Sequence, residues 1–373
     1  MIFEFNLKLF FVKLLFLFIF QFEALASSKL DCKEKAFYVN NVISEAKHQD
    51  LTKAKSKAEE KGRLIAFNQL LNRLTLRKQI KNSYKIDLNK MINFIKINNE
   101  ANSTNQFLGS FDFCFNREEV VSFFKKENLN FAEVFSLPIS IFPIYEGASG
   151  YVFLDEKDTW YELWKNFLNT NDSLLKFKLS TGNLSLKRSI RGKEIISANK
   201  NVLKKLIKND LTKRILVVIL EPKLGRFGKY QLKISGKLYN ESGEFDQTIF
   251  SKSRNYENFK SITILNKDLL LKDISELVYI FEESWKKNNF FNEGLITFVD
   301  VYIPIQKMQD WSNSLLLLNN LPYMKKINII GLKGDVGKVS LGFQGTNNTF
   351  FNILNEKGYK LKQVNDEFIL IKK

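Results

Sequence analysis

The sequence has 373 residues, of which 45% are hydrophobic and 26% charged, and this balance is typical of a folded protein rather than a disordered tail. Five prolines and 17 glycines exclude collagen-like and proline-rich architectures. One histidine and two cysteines exclude almost every metal site built from those residues. Lysine and arginine outnumber aspartate and glutamate by 57 to 40, and a genome biased toward lysine can produce this excess as readily as a function can.

The first 26 residues are predicted to form a secretory signal peptide. Residues 9–20 are almost entirely apolar, and Ala24 and Ala26 provide the small residues of a cleavage site. We therefore expect cleavage after Ala26 and a periplasmic mature protein. Glu4 and Lys13 are unusual for a signal and leave an uncleaved membrane-surface anchor as the alternative. No later stretch is apolar over 18 residues, so no transmembrane span is expected in the mature chain.

Both cysteines belong to the predicted mature chain, and an oxidising compartment permits a disulfide between them. Cys114 lies in an apparent strand over residues 111–115, and Cys32 precedes another over residues 36–42. If these strands pair, the two Cα atoms come within the distance that a disulfide requires. The sequence thus predicts a Cys32–Cys114 bridge, with two unrelated buried thiols as the alternative. Because no cysteine directly follows the cleavage site, a lipoprotein is not expected.

Residues 27–135 are predicted to form an N-terminal α+β domain. A helix over residues 52–74 carries Ala54, Ala58 and Gly62 on one face, and small residues of this kind let a helix approach a sheet closely. The other predicted elements are the strand over 36–42, a short helix near 88–95, a strand over 106–115, and a helix capped by Asn116 with Glu119 at its third position.

Residues 136–291 are predicted to form a central α/β domain. The continuous apolar run at residues 215–220 indicates a strand buried on both faces. Thr159 and Glu162 form a capping-box pattern that predicts the start of a helix. The other predicted elements are strands over 137–144 and 151–154, a basic helix over 198–209, a hairpin of 230–238 with 245–250, and a long helix over 267–287.

Residues 292–373 are predicted to form a C-terminal ferredoxin-like domain. The pattern is strand, helix, strand, strand, helix, strand, over residues 295–302, 305–318, 325–330, 336–343, 346–357 and 359–364. Residues 368–371 extend the last strand into a hairpin. The predicted fold class is therefore α+β, with three small modules in series after a cleaved signal peptide.

Several segments, taken in chain order, are similar to one known family. They are residues 54–58 and 62–74 of the long helix, 113–116, Thr159-Trp160 with Trp164, Trp311 to Leu318 with Leu321-Pro322, residues 339–345, and Leu354 with Gly358-Tyr359. Together they resemble the exported proteobacterial proteins catalogued as domain of unknown function 2066. The resemblance implies an envelope protein of three small α+β modules and transfers no catalytic residue. The sequence departs from the family pattern in its abundance of lysine and asparagine.

The sequence contains no complete catalytic motif. A Ser-His-Asp triad would depend on His48, the only histidine, and Asp50 is too close along the chain to orient its ring. No Gly-x-Ser-x-Gly is present. We interpret His48 as an exposed residue before the first helix, residues 155–158 as a helix start, and Glu282-Glu283 as a solvated helix face. No catalytic residue, metal ligand or cofactor is therefore expected, and a carboxylate-based glycosidase or metal site is disfavoured.

Two glycine-rich stretches are interpreted as turns. Gly331 and Gly337 are separated by five residues, whereas a phosphate-binding Walker loop needs four, and Val339 replaces the serine or threonine. The segment that follows reads as a strand, so no helix N-terminus would face a phosphate. Residues 225–229 are likewise expected to form a turn between two strands.

The basic charge is concentrated in one segment. Residues 176–229 contain 15 basic and three acidic residues, and a predicted helix there combines lysines with an apolar side. The functional hypothesis is a polyanion-binding face, and the alternative is a solvated surface enriched by lysine bias. The face comprises Lys187, Arg188, Arg191, Lys193, Lys200, Lys204, Lys205, Lys208, Lys213 and Arg214.

These observations favour a non-enzymatic envelope protein that acts as a binding or assembly module. Its expected partner is an envelope protein, an anionic lipid or a polysaccharide surface, to which lysines attach as loosely placed point charges. Nucleic acid is the usual partner of so basic a protein, but predicted export and the absence of a stacking-aromatic motif argue against it. An unrecognised cell-envelope hydrolase and a ligand-free scaffold component of a larger complex are the alternatives.

Overall fold

A computed structural model describes residues 32, 34–147, 150–182, 184–224, 230–256, 267–291, 296–321, 323–364 and 367–372. These residues contain both helices and strands, and the strands form three separate sheets. This confirms the α+β class. Contacts divide the described residues into two compact units, one within residues 1–66 and 86–120 and the other within residues 67–85 and 121–373. The division into three domains remains a prediction from the sequence.

Two predictions concern the membrane. The predicted signal peptide lies outside the residues that the structure describes. Within the described ranges, no helix is both long enough and apolar enough to cross a bilayer.

The first unit contains a three-stranded antiparallel sheet with the order β1-β3-β2. The boundary between the two units falls within α1 and within α3. The elements are β1 (Tyr38–Lys47), α1 (Leu51–Leu74), α2 (Leu88–Met91), β2 (Ile92–Ser103), β3 (Gln106–Phe115) and α3 (Arg117–Lys126).

The small residues of α1 pack against this sheet, as the sequence predicts. Ala54 and Ala58 are fully buried, and the Ser44 hydroxyl donates a 2.7 Å hydrogen bond to the Ala58 carbonyl. A Cβ atom added at Gly62 would lie 3.2 Å from the Phe113 ring. The helix therefore approaches the sheet at a distance that larger side chains would prevent.

The predicted helix over residues 88–95 is mostly wrong. Only Leu88–Met91 is helical, with the Asp87 carboxylate accepting a 3.1 Å hydrogen bond from the Asn89 amide. From Ile92 the chain becomes β2 and pairs with β3. A short mixed window does not distinguish helix from strand, and here the backbone hydrogen bonds offered by β3 decide the outcome.

The largest sheet of the second unit has the order β5-β4-β7-β8-β9, and β6 pairs with β4 beside β5. The strands are β4 (Ile139–Gly147), β5 (Gly150–Phe153), β6 (Phe177–Leu179), β7 (Arg214–Leu224), β8 (Tyr230–Tyr239) and β9 (Phe245–Tyr256). The helices are α4 (Thr159–Thr170), α5 (Leu184–Ser189), α6 (Gly192–Ile196), α7 (Lys200–Asp210) and α8 (Lys267–Asn288).

Strand β7 is buried on both faces, as its apolar run predicts. Leu216, Val218 and Leu220 belong to a core shared with α4 and α8. The alternate residues, beginning with Ile215 and Val217, belong to a second core shared with α5, α6 and α7. The sheet thus lies between two helical layers, and one of those layers contains the basic helix.

Helix α4 begins one residue earlier than the predicted capping box implies. Its N-cap is Asp158, whose carboxylate accepts hydrogen bonds from the Trp160 and Tyr161 amides at 3.0 and 3.1 Å. Thr159 is therefore the first helical residue rather than the cap. A carboxylate caps as well as a hydroxyl and also interacts favourably with the helix dipole.

The C-terminal sheet follows the predicted order of elements, including the hairpin that residues 368–371 form with the preceding strand. Its order is β11-β12-β10-β14-β13, so β14 takes the place beside β10 that the last strand of a ferredoxin-like sheet occupies. Residues from α9 and α10 share one core with the strands. The elements are β10 (Ile296–Pro304), α9 (Met308–Asn319), β11 (Met324–Lys333), β12 (Val336–Gln344), α10 (Asn347–Glu356), β13 (Tyr359–Val364) and β14 (Glu367–Lys372).

Candidate functional site

Most of the predicted basic residues lie on the helical layer formed by α5, α6 and α7, whereas Lys213 precedes β7 and Arg214 is its first residue. Leu186, Leu203 and Leu206 pack inward against the sheet. Because α7 is amphipathic, its lysines are directed away from that core, and Lys200, Lys204, Lys205 and Lys208 are all exposed. The predicted basic helix therefore presents its ammonium groups to solvent.

Three of the ten predicted residues are neutralised by the turn between β8 and β9 and by the start of β9. The Lys200 ammonium lies 3.1 Å from the Glu244 carboxylate, and Lys213 pairs with Glu241. Arg214 lies 3.7 Å from Asp246. The hydrogen bond from Lys200, with a further one from Asn240, lowers the pKa of Glu244 below its usual 4.5. These three cations are less available to a ligand than their sequence positions imply.

Gly243 allows the turn between β8 and β9 to approach α7. Its φ is +75°, and a Cβ atom there would lie 2.4 Å from the Lys200 carbonyl oxygen. A glycine is required because other residues would clash and would disfavour this backbone conformation. The acidic turn is thereby held beside the first residue of the basic helix.

The other seven residues form no ion pair with a described acidic residue. They are Lys187, Arg188, Arg191, Lys193, Lys204, Lys205 and Lys208, and we call this set the free basic face. Lys205 Nζ donates a 2.7 Å hydrogen bond to Ser189 Oγ, which joins α7 to α5. The positive charge of these side chains is not neutralised by a described carboxylate.

A shallow depression of about 360 Å³ lies between α5 and α7. It is lined by Ser185, Leu186, Lys205, Lys208 and Asn209. Arg188 follows Ser185 by three residues on α5 and therefore lies on the same side of that helix. Hydroxyl, amide and ammonium groups around one depression provide hydrogen-bond donors for an anionic group.

An exposed leucine ends the basic helix. Leu211 is 83% exposed and adopts the left-handed conformation, with φ of +55°. Its amide is directed to the Ile207 and Lys208 carbonyls. A non-glycine residue in this conformation is uncommon. An exposed apolar side chain therefore follows Lys208 by three residues, a feature that the charge pattern did not reveal.

Cys32 and Cys114 form a disulfide in the first unit, with their Cα atoms 5.7 Å apart. Strands β1 and β3 pair as the argument for this bridge assumed, and Tyr38 lies opposite Cys114. The bond ties the segment that precedes β1 to the central strand of the sheet.

The interpretation of Glu282-Glu283 as a solvated helix face is wrong. Both residues are buried, and Glu283 accepts a 3.2 Å hydrogen bond from the buried Lys286 ammonium. Lys286 also donates to the Asn72 and Thr75 carbonyls at 2.6 and 2.9 Å. The ammonium thus caps the C-terminal end of α1, where carbonyls lack helical partners.

Burial sets the ionisation of this cluster. It raises the pKa of Glu282 above its usual 4.5, against the opposing effects of a hydrogen bond from Ser173 and the positive charge of Lys286. Burial also lowers the pKa of Lys286 below 10.5, against the attraction of Glu283 and Glu282. The sequence carried a signal for this placement, because Glu282 and Lys286 continue the four-residue spacing of Leu270, Ile274 and Val278.

The remaining candidates are turns and isolated groups. His48 Nδ1 accepts a 2.9 Å hydrogen bond from the Asp50 amide, immediately before α1. The glycine-rich stretch from Gly331 contains the turn between β11 and β12, with Gly334 at φ of +59°. The predicted turn at residues 225–229 lies outside the described residues. Within the part of the chain that the structure describes, no group of three or more metal-ligand side chains converges.

The likeness to solved structures is distant. No family model matches the chain, and no curated protein matches it. The crystal structure of lipoprotein GNA1162 from Neisseria meningitidis is similar to 38% of this chain, over 96% of its own length. The sequence identity is 13% and the TM-score is 0.23.

Proposed function

We propose that this chain is a non-enzymatic periplasmic protein that acts as a binding or assembly module in the cell envelope. The signal-peptide pattern of residues 1–26 and the resemblance to domain of unknown function 2066 support this location. The free basic face supports an anionic partner, and the Cys32–Cys114 disulfide fits an oxidising compartment. Amino-terminal sequencing of the purified protein tests the export step, because a chain that begins at Met1 would contradict it.

The partner that these contacts favour is an anionic lipid surface. Basic side chains near such a surface contribute about 1 kcal/mol each through its negative potential. Leu211 adds an exposed apolar side chain three residues after Lys208, and a combination of basic and apolar side chains is typical of proteins that rest on a bilayer interface. The free basic face, with the exposed Leu211 three residues after Lys208, is the observation that carries the proposal.

The test measures binding of the full chain to vesicles with and without phosphatidylglycerol. We expect binding to the anionic vesicles that weakens as salt is added, because salt screens exposed charges. K204E/K205E/K208E should bind roughly a hundredfold more weakly, since at least three favourable contributions of about 1 kcal/mol are lost. Unchanged binding by this variant would contradict a role for the face.

A charge-matched control separates the face from the overall charge. Lys53, Lys57 and Lys61 are exposed on α1, so K53E/K57E/K61E changes the net charge by the same amount at another place. This control should bind nearly as well as the unmodified chain. Leu211→Gly should weaken binding about tenfold while leaving its salt dependence intact, because the change removes an apolar side chain and no charge. Glycine is chosen because it readily adopts the left-handed conformation. Equal losses in both triple variants would assign the binding to net charge alone.

A further inference from the structure

Strand β11 lies at the edge of the C-terminal sheet. It pairs with β12 on one side, and no described strand lies on its other side. An edge strand presents a row of unpaired backbone N–H and C=O groups along its free side. These ten residues, 324–333, are named the β11 edge below.

The β11 edge exposes apolar side chains as well as backbone. Ile329, Ile330 and Leu332 are 55%, 54% and 51% exposed. The edge strand of the larger sheet, β9, exposes one large apolar side chain, Phe245, which is followed by the exposed polar residues Asp246, Gln247 and Thr248. Three large apolar side chains on one edge provide side-chain contacts for a strand that pairs there.

The charge of the β11 edge is positive. Lys325, Lys326 and Lys333 are exposed, and the strand contains no acidic residue. None of the three forms an ion pair with a described residue. An extended segment that pairs with this edge therefore meets positive charge near both of its ends.

We propose that the β11 edge binds an extended acidic segment of a partner protein, which adds to the C-terminal sheet as a sixth strand. Backbone hydrogen bonds supply the pairing, apolar residues of the segment cover Ile329 and Leu332, and its carboxylates face the lysines. Carboxylates match the charge at both ends of the edge, which makes an acidic segment the chemistry that fits.

A second copy of this chain fits the edge poorly. An antiparallel pairing of two β11 strands would bring Lys325 and Lys326 of one copy beside Lys333 of the other, and like charges at such positions are destabilising. Exposed lysines on an edge strand are also a common protection against self-pairing. The occupant is therefore a chain of opposite charge.

The register of β11 with β12 limits how many residues of β11 can pair regularly with a partner strand. Irregularities in the pairing with β12 occur between Met324 and Lys326 and between Ile329 and Gly331. The regular stretches are residues 326–329 and 331–333. A pairing this short suits a reversible contact, and side-chain contacts and charge then determine which partner binds.

The test uses a labelled synthetic peptide in which glutamate alternates with valine and isoleucine, titrated into the full chain. We expect saturable binding, with slower hydrogen exchange at the amides of residues 324–333. Two analogues carry N-methyl groups on alternate residues, in the two possible phases. The analogue whose methylated amides face β11 should lose binding, because those amides can no longer donate hydrogen bonds to the edge. These analogues act on the unmodified protein, so the result does not depend on how a variant folds.

Substitutions then test the charge. K325E/K326E/K333E should bind the acidic peptide about tenfold more weakly, since three exposed ion pairs with the peptide are lost. K53E/K57E/K61E should bind it like the unmodified chain, which separates the effect of the β11 edge from that of the overall charge. Equal binding of a lysine-based peptide, unchanged exchange at the β11 edge, or a concentration-dependent dimer that protects this edge would overturn the proposal.

Discussion

The ammonium of Lys286 shows how a buried charge is retained in this fold. The residue is 1% exposed, and three oxygens surround Nζ within 3.2 Å, two of them carbonyls near the end of α1. A buried cation is tolerated when its donors are all used and a carboxylate lies beside it. Lys286 satisfies this condition with Glu283 as its acidic partner.

Lys286→Met tests this account, because methionine has a similar length and no donor. The change leaves two carbonyls and a carboxylate without their partner, so we expect the free energy of unfolding to fall by about 3 kcal/mol. Urea unfolding followed by tryptophan fluorescence measures the change. Lys287→Met, at the exposed neighbouring position, should alter stability by less than about 0.5 kcal/mol. Similar small effects from both changes would show that the buried contacts contribute little.

At the scale of elements, most helices and strands could be predicted from the sequence, because core residues recur along them at regular spacings. Successive apolar residues of β7 face two cores in turn. The face of α1 that carries small residues is the face that packs on the sheet. The strand β2 was not predicted, since its exposed polar residues carry no period and its pairing with β3 decides its conformation. The cations were found by composition, whereas their neutralisation by a distant turn depends on contacts that only the fold creates.

The disulfide is the covalent link between elements of the first unit, and it closes a loop with a sequence separation of 82. Chain-entropy arguments give such a crosslink about 4.5 kcal/mol of stabilisation. The variant C32S/C114S should therefore show faster hydrogen exchange at the β3 amides, and added reductant should have no further effect on it. The unmodified chain should approach the behaviour of the variant when reduced. Identical exchange in the oxidised chain and the variant would contradict this role.

At the scale of the whole molecule, the charge balance makes acid a general stress. The net charge of +17 at pH 7 becomes larger as the 40 acidic residues are protonated, and self-repulsion then destabilises the compact state. Asp112 follows the usual pattern: burial alone raises its pKa, but hydrogen bonds from Tyr38, Asn41 and Asn98 hold the pKa below its usual 3.8. Its contribution to stability is present above pH 3.8 and is lost as the pH falls through its lower folded-state value.

Glu282 should behave in the opposite way, and Glu282→Gln isolates its contribution from this background. Burial raises its pKa, so the folded state binds more protons than the unfolded state just above pH 4.5. Glu282 therefore costs stability as the pH rises from 4.5 through the folded-state pKa. Glutamine has nearly the same shape and carries no charge, so the two proteins should differ little below pH 4.5. Above it, E282Q should become progressively more stable than the unmodified chain, by about 1.4 kcal/mol for each unit by which the pKa is raised.

Urea unfolding midpoints of both proteins between pH 4 and pH 8 measure this difference. The charge of the rest of the molecule is the same in both, so the common effect of acid cancels when the two profiles are subtracted. Glu276→Gln, at a partly exposed position on the same helix, provides a comparison in which an ordinary ion pair with Lys252 is lost instead. The difference for that variant should have the opposite sign at neutral pH. A subtracted profile for E282Q that is flat, or that falls with pH, would show that Glu282 is ionised in the folded state without cost.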